Sequence, residues 1–156
     1  MDKPKVVRTG VGIAIFSTDN KLLLQLRSDN YRWGMLGGAV EFGEDIKTAC
    51  VREVKEESGI IIDPTRLRFL SIYSNPLTQI VEYPDQIVHK IDILFYYDLI
   101  DSPITFNYPK GGETLSLRFI EQKELAVIED NMSPEAREAL STIFQLHSFW
   151  KELISV

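Results

Sequence analysis

The chain has 156 residues, enough for one domain with a full core. Hydrophobic residues make up 44% and charged ones 26%, an ordinary soluble globular balance, with a formal net charge of −6 and a pI near 5.0. That acidity argues against a nucleic-acid partner, which needs a basic footprint, and no apolar run approaches the length of a membrane span.

The chain opens with Met1-Asp2-Lys3-Pro4-Lys5, followed by neither a signal-peptide core nor a cleavage site, so a cytoplasmic location with no membrane partner is expected. Val6 to Phe16 alternates Val11, Ile13 and Ile15 on one face with Gly10, Gly12 and Ala14 on the other. This predicts a strand whose glycine face something approaches closely. Asp19-Asn20 marks a turn into a second strand, Lys21 to Leu26, and Ser28-Asp29-Asn30 a loop. Trp33, between Arg32 and Gly34, could stack on a base; closing the core is the preferred reading. Arg27 and Arg32 could reach phosphates, or be surface charges.

Asp45 to Ser58 is predicted as a helix, with Glu44-Asp45 at its positive end and Gly59 as the terminating glycine. Cys50, the only cysteine, excludes an internal disulfide, fits a reducing compartment and reads as a small core residue of this helix. At roughly 100° per residue, Ile46, Ala49, Cys50 and Val54 form the apolar stripe. Glu53, Glu56 and Glu57 stand at i, i+3 and i+4 and border that stripe, while Thr48 and Lys55 point away. Partly buried carboxylates need a partner, and one Arg52 cannot neutralise three. A hard divalent cation can; magnesium typically takes a few carboxylates plus substrate phosphates.

Beyond the helix, Ile60-Ile61-Ile62 is expected to enter a strand, and Asp63-Pro64-Thr65 to turn into another, Leu67 to Ser74. Asn75-Pro76 and Glu82 to Gln86 read as loops. His89 to Ile100 is the most apolar strand and the expected sheet centre. Phe106 to Glu113 is a Gly-rich aromatic loop, Leu115 to Ile120 a short strand, and Glu121 to Leu125 a helical turn. Ser133-Pro134 caps a last helix, whose apolar positions Ala136, Ala139, Leu140, Ile143, Phe144, His147 and Trp150 carry helical spacing. His147 is therefore a packed helix residue rather than a ligand. The element order gives an α/β (α+β) layer fold, one domain over residues 1–156 without repeats or linkers.

The stretch Gly38 to Ile60 also fits G-x5-E-x7-R-E-U-x-E-E-x-G-U, with U aliphatic. Gly38, Glu44, Arg52, Glu53, Val54, Glu56, Glu57, Gly59 and Ile60 fill every fixed position. At roughly 5–7% usage per fixed residue, a chance match is on the order of one in a billion per start position. The pattern resembles the box of the Nudix hydrolases, and the element order is similar to their mixed sheet sandwiched between helices. Leu36 departs from the proline that many members carry before the paired glycines, which bears on the local loop shape rather than the chemistry.

The resemblance implies a Mg2+-dependent hydrolase, with Mn2+ as a substitute, cleaving the diphosphate of a nucleoside diphosphate linked to another group. Glu53 and Glu57 would be metal ligands, Glu56 a ligand or the general base, and the Gly38 carbonyl would join the metal shell. Arg52 would orient the carboxylates, with Glu44 as its partner or as an outer metal ligand. Glu113 sits where some members supply a further glutamate and is a second candidate for the base; otherwise it is an exposed loop acid. Tyr83, Phe106 and Tyr108 are candidates for stacking on a base. Pro76, sixteen residues after Ile60, weakly favours ADP-ribose or a nucleotide sugar, although a turn role explains it equally. Two alternatives stand beside this: a nucleoside triphosphate pyrophosphatase clearing oxidised or surplus nucleotides, and a non-catalytic module that senses a nucleotide. A sensor has no need of Arg52 together with all three glutamates. A homodimer is left open.

Overall fold

The computed structural model describes residues 2–99 and 104–154. In chain order, β1 (Lys5–Phe16), β2 (Leu22–Arg27), β3 (Trp33–Gly34) and β4 (Leu36–Ala39) lead into α1 (Ile46–Ser58). Then come β5 (Arg68–Tyr73), the short α2 (Pro76–Gln79), β6 (Ile80–Glu82), β7 (Ile87–Asp98), β8 (Thr114–Ile120), α3 (Leu125–Ile128) and α4 (Pro134–Ile154).

The alternation of β1 decides the layering. Val11, Ile13 and Ile15 pack with Ala49, Cys50 and Val54 of α1. Ala14 and Phe16 pack with Ala136, Ala139, Leu140, Ile143 and Phe144 of α4. One strand thus feeds two cores because successive side chains point to opposite faces. Burying each large aliphatic side chain contributes roughly 1.5–3 kcal/mol. The expected mixed sheet between helices is the one observed. Cys50 is fully buried among apolar neighbours, and burial pushes its thiol up to about 12.

β7 is central, as its composition suggests. It runs parallel to β1 from Lys5↔Ile87 to Phe16↔Asp98, and pairs antiparallel with β5 and β6. Ile100, the last residue of the expected strand, lies outside the described residues. β1 meets β2 only at Phe16↔Leu22. Elsewhere β4 takes the edge of β1, from Gly10↔Ala39 to Ile13↔Leu36, and β3 pairs with β2. The close approach expected at the β1 glycines comes from β7. A Cβ on Gly10 would lie 2.4 Å from Asp92 Oδ1, and one on Gly12 2.5 Å from Leu94 Cδ2.

Three expectations change. Ile60 to Ile62 forms no strand: Gly59 turns left-handed at φ 79°, the Ser58 hydroxyl accepts the Ile60 N–H, and Ile60 and Ile62 drop into the core as single anchors. Asn75-Pro76 is the start of α2, with the Asn75 side chain accepting from Leu77 N and proline in the first turn. The third is a pair of short strands, β3 and β4, where the sequence suggested only a lead into the box. Trp33 closes the core as preferred: it packs against the α4-side cluster and bridges to Met132.

Candidate functional site

α1 presents the acids because its ends are pinned. The Asp45 side chain caps the start, accepting from Lys47 N at 3.0 Å and Thr48 N at 3.4 Å, and Gly59 N–H closes the end on Lys55 O at 2.8 Å. Within that frame Glu53 and Glu57 are buried, at 7% and 3% exposure, whereas Glu56 is exposed.

Arg52 ties the cluster together. Its guanidinium donates bidentately to Glu44, Nε to Oε1 at 2.7 Å and Nη2 to Oε2 at 2.9 Å. Nη1 donates to Glu53 at 2.7 Å and to Glu56 at 3.3 Å, and Nη2 also donates to the Ala39 carbonyl. The guanidinium hydrogen bonds and the Glu41 N–H hold the Glu44 carboxyl down to about 2. Burial pushes Glu53 up against the pull of Arg52.

Glu57 has no such cation. Its Oε2 accepts from the Gly37 N–H at 2.9 Å, and its Oε1 is buried without a hydrogen-bond partner. Burial pushes its carboxyl up to about 8, against the Gly37 N–H and the Gln25 amide, which favour the charged form. Gly38 lies across from Glu53: a Cβ there would fall 2.6 Å from Glu53 Oε1, so only glycine admits that carboxylate beside the backbone.

Arg52, Glu53 and Glu56, but not Glu44 or Glu57, open into a cleft of about 600 Å³. It runs from Arg52, Glu53 and Glu56 past Gly37 and Gly38, over Gly10 and Gly12, to Tyr83, Lys90 and Asp92. Arg27, Asp29 and Glu113 also line it. Arg27 is clamped by Asp29 at 3.0 and 2.9 Å.

The NUDIX domain profile matches residues 6–143. The chain belongs to the Nudix family. It is 40% identical over 89 residues to the ADP-ribose pyrophosphatase of Methanocaldococcus jannaschii, covering 55% of this chain and 48% of that protein. It is 45% identical over 56 residues to the RNA pyrophosphohydrolase of Pelagibacter ubique, covering 35% of each. The matches therefore span about half of the first relative's length and about a third of the second's. A crystal structure of the MutT protein from Methanosarcina mazei Go1 shares the fold, with TM-score 0.64 and 22% identity, covering 95% of this chain and 98% of that one.

The Nudix box thus supplies one wall of the cleft, and the other sequence candidates divide around it. Arg27, Tyr83 and Glu113 join Glu53 and Glu56 there. Arg32 is exposed and does not line the cleft. Tyr108 lines a second groove with Thr48, Val51 and Lys55, which borders the cleft at Arg52 and Glu56. Phe106 stacks on Phe119 at 5.9 Å within the core rather than offering a face to a base. Sequence reasoning missed Gln25, Thr114, Gln79 and Asp92. For Gln25 a signal existed: it follows Leu22-Leu23-Leu24 in an apolar strand, where a core-facing polar residue needs a reason.

Nudix hydrolases use divalent metals, and the donor set can be tested for one. Among the described residues no three His, Cys, Asp or Glu side chains already converge on one point, because Arg52 engages Glu53 and Glu56 while Glu57 turns to Gly37. The chemistry nevertheless fits a cation. A buried carboxylate oxygen is orphaned on Glu57, and the glycine cradle places backbone against Glu53.

Proposed function

We propose that this chain is a divalent-metal-dependent pyrophosphohydrolase that cleaves the diphosphate bond of a nucleoside diphosphate linked to another group, with ADP-ribose or a nucleotide sugar favoured. The buried Glu57, held by the Gly37 N–H, outside any ion pair among the described residues and with Oε1 unpartnered, carries this reading. A carboxyl held above its ordinary range by burial gains most from a cation. The named activity of the 40% identical relative supports the substrate class.

In this reading Glu53, Glu56, Glu57 and the Gly38 carbonyl would hold magnesium, or manganese in its place. The metal would neutralise phosphate charge and make water a better nucleophile at neutral pH. Arg52, fixed by Glu44, sets the positions of Glu53 and Glu56. Glu56 and Glu113 both reach the cleft, and one of them accepts the proton of the attacking water. Arg27, oriented by Asp29, balances charge on the leaving phosphate. The cleft's lining extends beyond the acids to Gln79, Tyr83 and Lys90, which suits a substrate with further groups attached to its diphosphate.

Glu57→Gln should cut turnover by several orders of magnitude while leaving a cooperative thermal transition in place. Turnover at the parent rate would remove Glu57 from the site.

A further inference from the structure

A polar chain runs under the site through residues that do not touch the acidic cluster's Arg52. Gln25 on β2 is fully buried, and Thr114 at the start of β8 is buried at 5% exposure. Gln25 Nε2 donates to Thr114 Oγ1 at 2.7 Å, and Thr114 Oγ1 donates to the Glu57 backbone carbonyl at 2.9 Å. The direction of the chain is fixed by its partners. The Thr114 proton is committed to a carbonyl, so the hydroxyl can only accept from the amide. Flipping that amide would set its oxygen against the hydroxyl lone pairs.

Resting on the pyrophosphohydrolase reading, we propose that Gln25 and Thr114 are positioning residues for the metal-binding Glu57. Gly37 N–H holds Oε2, and Gln25 holds Thr114, whose hydroxyl fixes the backbone that carries the carboxylate. Glu57 Oε1 is left without a partner, as is Gln25 Oε1, and the carboxylate oxygen is the one offered to the cation. The outermost turn of α1 is thereby referenced to β2 and β8 rather than to the exposed, charge-rich face of the helix. Groups that orient a ligand from behind typically contribute about 10–100-fold to metal affinity.

The test is Mn2+ binding to the purified full chain, followed by calorimetry and by the spin-resonance signal of free Mn2+. Thr114→Val keeps the shape and removes the hydroxyl; Gln25→Met keeps the length and removes the amide. Each should weaken Mn2+ binding about 10-fold or more, and Thr114→Ser should restore it. The half-saturating metal concentration for turnover should rise by the same factor, with KM for substrate at saturating metal unchanged. Adding Thr114→Val to Glu57→Gln should cost no further Mn2+ affinity, because the threonine acts through the glutamate. Parent-like Mn2+ affinity in both single variants, or losses that multiply in the double variant, would overturn the positioning role. Thr114→Ser keeps the comparison meaningful should the valine variant fold poorly: a folded serine variant with valine-like affinity also overturns it. If the parent chain itself binds no Mn2+, the metal reading falls and this inference with it, a result distinct from either of the others.

Discussion

At the scale of single residues, two side chains carry opposite lessons. Gly38 matters for what it lacks. Alanine there would place its Cβ 2.6 Å from Glu53 Oε1, closer than real Cβ contacts come, so the carboxylate has to swing away from Arg52 and the site. Gly38→Ala should therefore lower turnover at least tenfold and raise the metal requirement, with a small change in melting temperature; a metal titration of activity that overlays the parent would contradict this. His147 matters for what surrounds it. It stacks on Phe16 at 3.8 Å, with Nδ1 2.8 Å from the Tyr96 hydroxyl and Nε2 2.9 Å from Asn20 Oδ1. The carbonyl-type Asn20 oxygen only accepts, so Nε2 carries the proton and Nδ1 accepts from the tyrosine. Burial lowers the ring's pKa below 6.5, with Asp98 opposing and Lys151 reinforcing the shift. The unfolded chain then binds a proton that the folded chain refuses. This contribution to stability is full above about pH 6.5 and is lost as pH falls below it. Urea unfolding of His147→Gln between pH 7 and pH 5 should show a shallower loss of stability than the parent; an unchanged slope would count against the neutral, buried ring.

At the scale of elements, α1 is the part most fully legible beforehand, because a periodic stripe, a capping acid and a terminating glycine all coincide on it. Asp45→Ala removes a cap that accepts two N–H groups and should cost about 1 kcal/mol. Gly59→Ala should cost more. Its φ of 79° alone disfavours a side chain by about 1–2 kcal/mol, and the new Cβ would stand 2.4 Å from the Asn107 carbonyl. Denaturant melts that rank the two variants the other way would contradict the cap assignments. What was not legible has a common physical origin. β3 and β4 are two and four residues long and exist only because β1 and β2 part and leave edges to be paired, which no local pattern announces. Ile60 to Ile62 has strand composition, yet the glycine turn before it and the Asp63 cap after it leave no room for a ladder. Phe106, Tyr83 and Tyr108 are equally plausible stackers as letters; only the fold packs one against the core, sends one to the cleft and puts one in a neighbouring groove that meets the cleft at Arg52 and Glu56. The box gave Glu53, Glu56 and Glu57 together, but the Gln25–Thr114 support comes from distant strands and is visible only in three dimensions.

At the scale of the whole molecule, the parallel pairing of β1 with β7 sets the site. Asp92 and Leu94 of β7 occupy the space that side chains at Gly10 and Gly12 of β1 would take, and all four residues line the cleft together with the acids of α1. No described helix is long and apolar enough to cross a membrane. Arg8, Arg27, Arg52 and Lys90 line the cleft beside the acids Asp29, Glu41, Glu53, Glu56, Asp92 and Glu113, so a phosphorylated molecule there needs a cation to offset the acids. Removing divalent ions with EDTA should abolish turnover, and restoring Mg2+ should return it. The most direct measurement is phosphate release with Mg2+ against a panel of ADP-ribose, nucleotide sugars, dinucleoside polyphosphates, and normal and oxidised nucleoside triphosphates, each repeated with EDTA and with Glu57→Gln. A metal-dependent rate greatest on ADP-ribose or a nucleotide sugar, and lost in the variant, is the predicted result. Ligand binding without turnover of any member of the panel, or turnover that survives both EDTA and the substitution, would contradict it.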